Sequence, residues 1–123
     1  MYLGFKDLNV YKLAFELAIE IFQITKNFPI EEKYSLTDQI RRSSRSVCAN
    51  LAEAYRKRRY PKHFVSKLTD CDAEASETIV WLDFSLSCGY ISETVFNDLL
   101  EKYNNVGKML NSMIVKPDKF IIK

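Results

Sequence analysis

The stretch Pro61-Lys-His-Phe-Val-Ser-Lys-Leu-Thr-Asp-Cys-Asp-Ala-Glu-Ala-Ser-Glu-Thr-Ile-Val-Trp-Leu-Asp-Phe-Ser-Leu-Ser-Cys-Gly89 decides how this chain folds. Apolar residues recur in it at Phe64, Leu68, Cys71, Ala75, Ile79, Leu82 and Leu86, spaced by threes and fours, which puts them on one face of an α-helix. Pro61 suits the first helical turn, where its missing N–H is no loss, and Gly89 suits the left-handed residue that stops a helix after Cys88. The same grammar extends in both directions. Upstream, Leu36, Ile40, Val47, Leu51 and Ala54 share a face behind Ser35, a candidate cap with Asp38 three residues on. Downstream, Ser92 followed by Glu93 opens a segment whose face is Phe96, Leu99, Tyr103, Val106, Leu110 and Met113, closed by Pro117. With Asn27-Phe28-Pro29 as a further break, the chain divides into helices at about 8–27, 36–58, 61–88 and 93–115. Four such helices joined by short turns predict an all-α fold, an antiparallel up-and-down four-helix bundle in one domain over residues 1–123.

Composition agrees with one core. The 123 residues are 47% apolar and 28% charged, the balance of a soluble globular protein and not of a disordered tail. The longest wholly apolar run, Ile79 to Leu82, is four residues, far below the roughly 20 that span a bilayer, so no membrane segment is expected. The first thirty residues carry Lys6, Asp7, Lys12, Glu16 and Glu20 within their apolar pattern, which excludes a signal-peptide core and points to the cytoplasm. Cys48, Cys71 and Cys88 are odd in number and widely spaced, the pattern of free, buried thiols.

The first helix is too apolar for one core. Between Leu8 and Thr25, twelve of eighteen positions are apolar, where about three in seven suffice for a bundle helix. The outer face of the third helix likewise turns from Ser66, Asp70, Glu74 and Glu77 to Trp81, Phe84 and Cys88. Such excess predicts a homo-oligomer, with Leu13, Leu17, Ile24, Trp81 and Phe84 at the subunit interface. The alternative cover is the N-terminal arm or the tail Phe120-Ile121-Ile122 folded over these positions.

The net charge of +2 hides two blocks. Arg41 to Lys62 carries +7 and His63 to Glu101 carries −7. Arg41, Arg42, Arg45, Arg56 and Arg59 lie on one side of the second helix over about 27 Å, a spacing that can follow a phosphate backbone. The candidate nucleic-acid contacts are Arg41, Arg45, Arg56, Lys57, Arg58, Arg59 and Lys62, with Tyr55 and Tyr60 available to stack on single-stranded bases. A structural use competes. If the second and third helices run antiparallel about Arg59, numbers summing to about 119 lie level, which sets Arg45 beside Glu74 and Arg42 beside Glu77 as ion pairs.

Catalytic chemistry has little to stand on. His63 is the only histidine, beside a helix start, and no nucleophile elbow, phosphate loop or Glu-x-x-His metal motif occurs, so no enzyme, metal site or cofactor is expected.

Phe5-Lys-Asp-Leu-Asn-Val-Tyr-Lys12, Tyr34-Ser-Leu-Thr-Asp-Gln-Ile-Arg-Arg-Ser-Ser44, Ser46-Val-Cys-Ala-Asn-Leu-Ala-Glu53, Ser76-Glu-Thr78, Trp81-Leu-Asp83 and Cys88-Gly-Tyr-Ile91 closely resemble a known group. This is the four-helix bundle protein family first found as reading frames in intervening sequences of bacterial 23S ribosomal RNA genes. Ala54 departs from the pattern, since many members carry Gly after the Glu. The resemblance implies a left-handed four-helix bundle assembling as a homopentamer, of unestablished molecular function. A similar bundle, the accessory variability protein of diversity-generating retroelements, is a basic pentamer that binds nucleic acid and a reverse transcriptase. Two readings follow. One is a non-enzymatic oligomer that binds RNA or DNA through the basic surface of the second helix. The other is a protein-interaction scaffold or accessory subunit, for example to a reverse transcriptase, with its basic residues in structural ion pairs.

Overall fold

The computed structural model describes residues 4–120 and contains four α-helices and, among those residues, no strand. They are α1 (Asn9–Thr25), α2 (Leu36–Arg56), α3 (Pro61–Ser87) and α4 (Glu93–Val115), with short 3₁₀ turns at Gly4–Asp7, Ile30–Glu32 and Pro117–Lys119. Two helices stop two residues short of the sequence expectation. At the end of α1 the N–H groups of Lys26 and Asn27 turn to carbonyls three residues back, and the Thr25 hydroxyl donates to the Ile21 carbonyl at 2.8 Å. At the end of α2, Lys57 N–H likewise reaches the Ala54 carbonyl at 2.9 Å, so the helical ladder tightens and ends.

Each helix packs on its sequence neighbours, and α1 closes back on α4. Between α2 and α3, partners climb one helix as they descend the other: Glu53 meets Lys67 and Ser43 meets Thr78. The core draws on all four helices, with Leu17, Ile21, Ile40, Val47, Leu51, Phe64, Leu68, Leu82, Leu99, Tyr103, Val106 and Leu110 each at most 1% exposed. Each such side chain contributes roughly 1.5 to 3 kcal/mol of burial free energy. Small buried residues let α2 and α3 approach closely. Ser43, Ser44, Ala75 and Thr78 all lie inside, and the Thr78 hydroxyl sits 2.8 Å from that of Ser43 and 2.9 Å from the Glu74 carbonyl. Those hydroxyls are satisfied locally, so their burial costs little.

The turns are held by specific groups. Ser35 does not cap α2. Its hydroxyl donates to Glu32 Oε1 at 2.6 Å, and that same oxygen accepts from Leu36 N–H at 3.4 Å, so Glu32 is the capping group. Tyr90 donates to the other Glu32 oxygen at 2.9 Å, tying the α3–α4 turn to the α1–α2 turn. Hydrogen bonds from Ser35 and Tyr90 hold the Glu32 carboxyl below its ordinary value. Gly89 takes φ 77°, with Tyr90 N–H on the Ser85 carbonyl and Gly89 N–H on the Leu86 carbonyl, the paired bonds of a Schellman ending. Ser92 Oγ accepts from Val95 N–H at 3.1 Å and starts α4.

The apolar excess is distributed differently from the expectation. Leu17 belongs to the core of the four helices, and Leu13 and Ile24 are half-buried against that core. The outward positions of α1 are Phe15 and Ile19, 49% and 48% exposed. At about 100° per residue they lie about 130° around the helix from the face of Ala14, Leu17, Ala18 and Ile21, which the core claims. On α3, Trp81 is half-buried and Phe84 is 52% exposed, their rings 5.9 Å apart. The N-terminal arm covers part of α1, since Phe5 meets the Tyr11 ring edge-on at 5.1 Å. Phe120 packs against Phe64; Ile121 and Ile122 lie outside the described residues. Cys71 is buried and Cys48 half-buried, and burial pushes their thiols up to about 12 and about 11, whereas Cys88 is exposed, contrary to the expectation of three buried thiols.

Candidate nucleic-acid interface

The basic block of α2 splits into two groups with different surroundings. Arg41 and Arg45 lie against α1. Arg41 Nε donates to Thr25 Oγ1 at 2.8 Å, and its guanidinium carbon is 4.8 Å from the centre of the Phe22 ring. Arg45 approaches the same ring at 5.7 Å, and Lys26 does so at 4.9 Å. A cation over an aromatic face at the surface contributes roughly 0.5 to 1 kcal/mol, so Phe22 is a platform shared by three cations. Sequence reasoning counted Phe22 only as surplus apolar surface. The usable signal was Lys26, one turn beyond Phe22 on the same face.

The expected pairs of Arg45 with Glu74 and of Arg42 with Glu77 do not form among the described residues. The level was close, since the observed α2–α3 partners Glu53–Lys67 and Ser43–Thr78 have numbers summing to 120 and 121. The azimuth differed: Arg45 turns to α1, while α2 meets α3 through Ser43 and Glu53. Arg42 sits 3.9 Å from Asp38 on its own helix, with the two side chains 72% and 46% exposed, a contact of small energetic weight. Burial first, and then the neighbouring Glu77 carboxylate, raises the Glu74 carboxyl above its ordinary value.

The second group surrounds the α2–α3 turn. Arg58 is engaged internally. Its Nε donates to the Tyr55 carbonyl at 2.8 Å and its guanidinium lies 3.5 Å from the centre of the Tyr55 ring. Tyr55 is itself buried, so that ring is closed to a ligand. Arg56, Lys57, Arg59 and Lys62 are exposed, and among the described residues no carboxylate lies within ion-pair distance of them. The nearest acidic side chain in sequence, Glu53, is taken by Lys67 at 2.8 Å, whose hydrogen bond holds the Glu53 carboxyl below its ordinary value. Tyr60, exposed, stands perpendicular to the His63 ring at 6.1 Å, and with Lys57 the two line an open groove of about 280 Å³. Of the seven expected phosphate contacts, four therefore form no ion pair, all at the turn, although Lys57 is near enough to Glu53 to help hold its carboxyl low.

Other chemistry is sparse. Among the described residues no group of three or more His, Cys, Asp or Glu is placed to hold a metal ion. Among them, too, no helix is long and apolar enough to cross a membrane.

Comparison with known proteins adds two likenesses. The family profile described as 23S rRNA-intervening sequence protein matches residues 6–112, which include all of α2, the basic turn and α3. A crystal structure of a protein with unknown function from the S23 ribosomal protein family of Bacteroides thetaiotaomicron VPI-5482 is 29% identical to this chain. The likeness covers 87% of this chain and 96% of that one, with a TM-score of 0.79. No curated protein matches.

Proposed function

We propose that this chain, which belongs to the 23S rRNA-intervening sequence protein family, acts without catalysis as a homo-oligomeric nucleic-acid-binding bundle of the bacterial cytoplasm. It grips the phosphate backbone of RNA or DNA at the α2–α3 turn. The observation that carries this reading is the group of exposed cations Arg56, Lys57, Arg59 and Lys62, with no carboxylate partner among the described residues. No internal pair has to break before they meet a polyanion, and each phosphate they neutralise releases condensed counterions. In this reading the bundle is antiparallel, up-and-down and left-handed. The turn then lies at the end opposite the Glu32–Tyr90 link. The outward Phe15, Ile19 and Phe84 support self-association. Five copies, the number the family resemblance implies, would set five basic turns on one rim and multiply weak contacts through avidity.

Fluorescence anisotropy with RNA and with DNA at 50 and 200 mM salt tests the reading. Four phosphate contacts at about 0.7 released ions each predict roughly 50-fold weaker binding at the higher salt. Absence of binding at 50 mM, or binding indifferent to salt, overturns it. The exposed Phe15, Ile19 and Phe84 also favour a second reading, a scaffold or polymerase accessory whose partner is a protein. Under that reading the combined Arg56, Arg58 and Arg59 to Ala variant keeps whatever nucleic-acid affinity the protein has.

A further inference from the structure

Tyr55 and Tyr60 flank the basic turn five residues apart, and the fold treats them oppositely. Tyr55 is buried under the Arg58 guanidinium. Tyr60 is 59% exposed, and among the described residues its one ring contact is the perpendicular approach of His63 at 6.1 Å. Its backbone is held from both sides. Tyr60 N–H donates to the Lys57 carbonyl at 2.9 Å, and Pro61 disfavours the helical region for the residue before it, so Tyr60 stands outside the helix at φ −120° and ψ 89°. The unengaged cations stand on both sides of this ring in the chain: Arg56, Lys57 and Arg59 before it, Lys62 after it. An exposed aromatic bracketed by cations that form no ion pair has the two parts of a single-strand site, a stacking surface and a backbone track.

We infer that the ligand of this turn is single-stranded nucleic acid, with one unpaired base lying on Tyr60 in the groove beside Lys57 and His63 while the cations hold the adjoining phosphates. This rests on the backbone-binding reading above and narrows it. A duplex offers the turn its phosphates but keeps its bases stacked inside, so Tyr60 adds affinity only for a strand that can present a base. Stacking on one aromatic side chain is sequence-tolerant, so the site discriminates strandedness and not sequence.

The experiment measures anisotropy of twelve-nucleotide RNA and DNA single strands and of the matching duplexes at 50 mM salt, with wild type, Tyr60→Ala and Tyr60→Phe. Wild type is expected to bind single strands about tenfold more tightly than duplexes. Tyr60→Ala is expected to lose that tenfold and keep its duplex affinity, and Tyr60→Phe to restore the preference. Photocrosslinking of a strand carrying 5-iodouridine to wild-type protein, mapped by mass spectrometry, reports on the site without any variant. The expected adduct is on Tyr60. Duplexes bound as tightly as single strands, or an unchanged preference in Tyr60→Ala, or an adduct elsewhere, overturns the inference and leaves the backbone-binding reading intact. Failure of every strand to bind at 50 mM salt, or binding only of an acidic peptide added as a control, overturns both. Comparison of the RNA and DNA arms identifies which strand is preferred.

Discussion

The two halves of α2 carry the same kind of residue and put it to different uses. In the N-terminal half, Arg41 and Arg45 lie over Phe22 of α1, and Glu32 caps the helix start while accepting a hydrogen bond from the distant Tyr90. There the cations are part of the packing, covering an aromatic ring that would otherwise face water. In the C-terminal half and the turn that follows it, Arg56, Lys57 and Arg59 face solvent with no carboxylate within ion-pair distance among the described residues, and only Arg58 folds back, onto Tyr55. Arg41, Arg42, Arg45, Arg56 and Arg59 are therefore neither one helical stripe, since Arg59 lies beyond the end of α2, nor one binding surface. A guanidinium engages the nearest aromatic face or acceptor first, and what remains for a ligand is decided by the neighbouring helix.

The sharpest way to break this contrast is to remove the unengaged half. Changing Arg56, Lys57, Arg59 and Lys62 together to Ala is expected to weaken oligonucleotide binding at 50 mM salt by about 100-fold or more and to flatten its salt dependence. Chemical denaturation should move by less than about 0.5 kcal/mol, because the four are exposed. Retained affinity would erase the functional distinction between the halves.

A smaller effect sharpens the other side. Phe22→Ala is expected to cost about 2 kcal/mol of stability, and the double Arg41→Ala, Arg45→Ala change about 1 kcal/mol. Since both act on one contact, the combined variant should cost less than the sum, giving a coupling of about 1 kcal/mol in a denaturation cycle. Oligonucleotide affinity should stay within twofold in all of them. A large loss of affinity in the arginine variant would return Arg41 and Arg45 to the phosphate-binding set.

The smallest effect is in acid. The Glu32 carboxyl is held below its ordinary value of 4.5, chiefly by Ser35 and then by Tyr90. A group with a lowered folded pKa contributes its full stabilisation above the unfolded value and loses it as pH falls through the folded one. Wild type should therefore lose melting temperature faster than Glu32→Gln between about pH 5 and about pH 3. Parallel melting curves for the two proteins would remove Glu32 as an anchor of the N-terminal half.

How much was legible in the sequence follows the range of the interactions. Helix starts at Leu36, Pro61 and Glu93 and the stop at Gly89 were readable, because they depend on residues within one turn of the chain. Ser35 was misread as the cap because a hydroxyl in that position ordinarily serves, and nothing local discloses that Tyr90 orients Glu32 from 58 residues away. The level of α2 against α3 was close, since it follows from counting residues away from a short turn. The rotation of Arg45 toward Phe22, and away from Glu74, was out of reach, since it depends on how α1 lies across α2. Leu17 was misassigned to an interface for a related reason: an apolar surplus can be counted in sequence, but which members of it the core takes is settled by packing.

By itself the sequence determined four helices, their capping grammar, the concentration of positive charge between Arg41 and Lys62, and the likeness to a family, because periodicity, turn chemistry and composition are local properties of the chain. Only the tertiary structure decided which cations stay open. Arg41, Arg45 and Arg58 are engaged by Phe22, Thr25 and Tyr55 while Arg56, Lys57, Arg59 and Lys62 are not, and Tyr60 is left outside where Tyr55 is covered. The physical reason is that availability is a property of surroundings. A side chain's charge is written in its identity, but its freedom to meet a ligand depends on aromatic faces and acceptors that packing brings within about 6 Å of it.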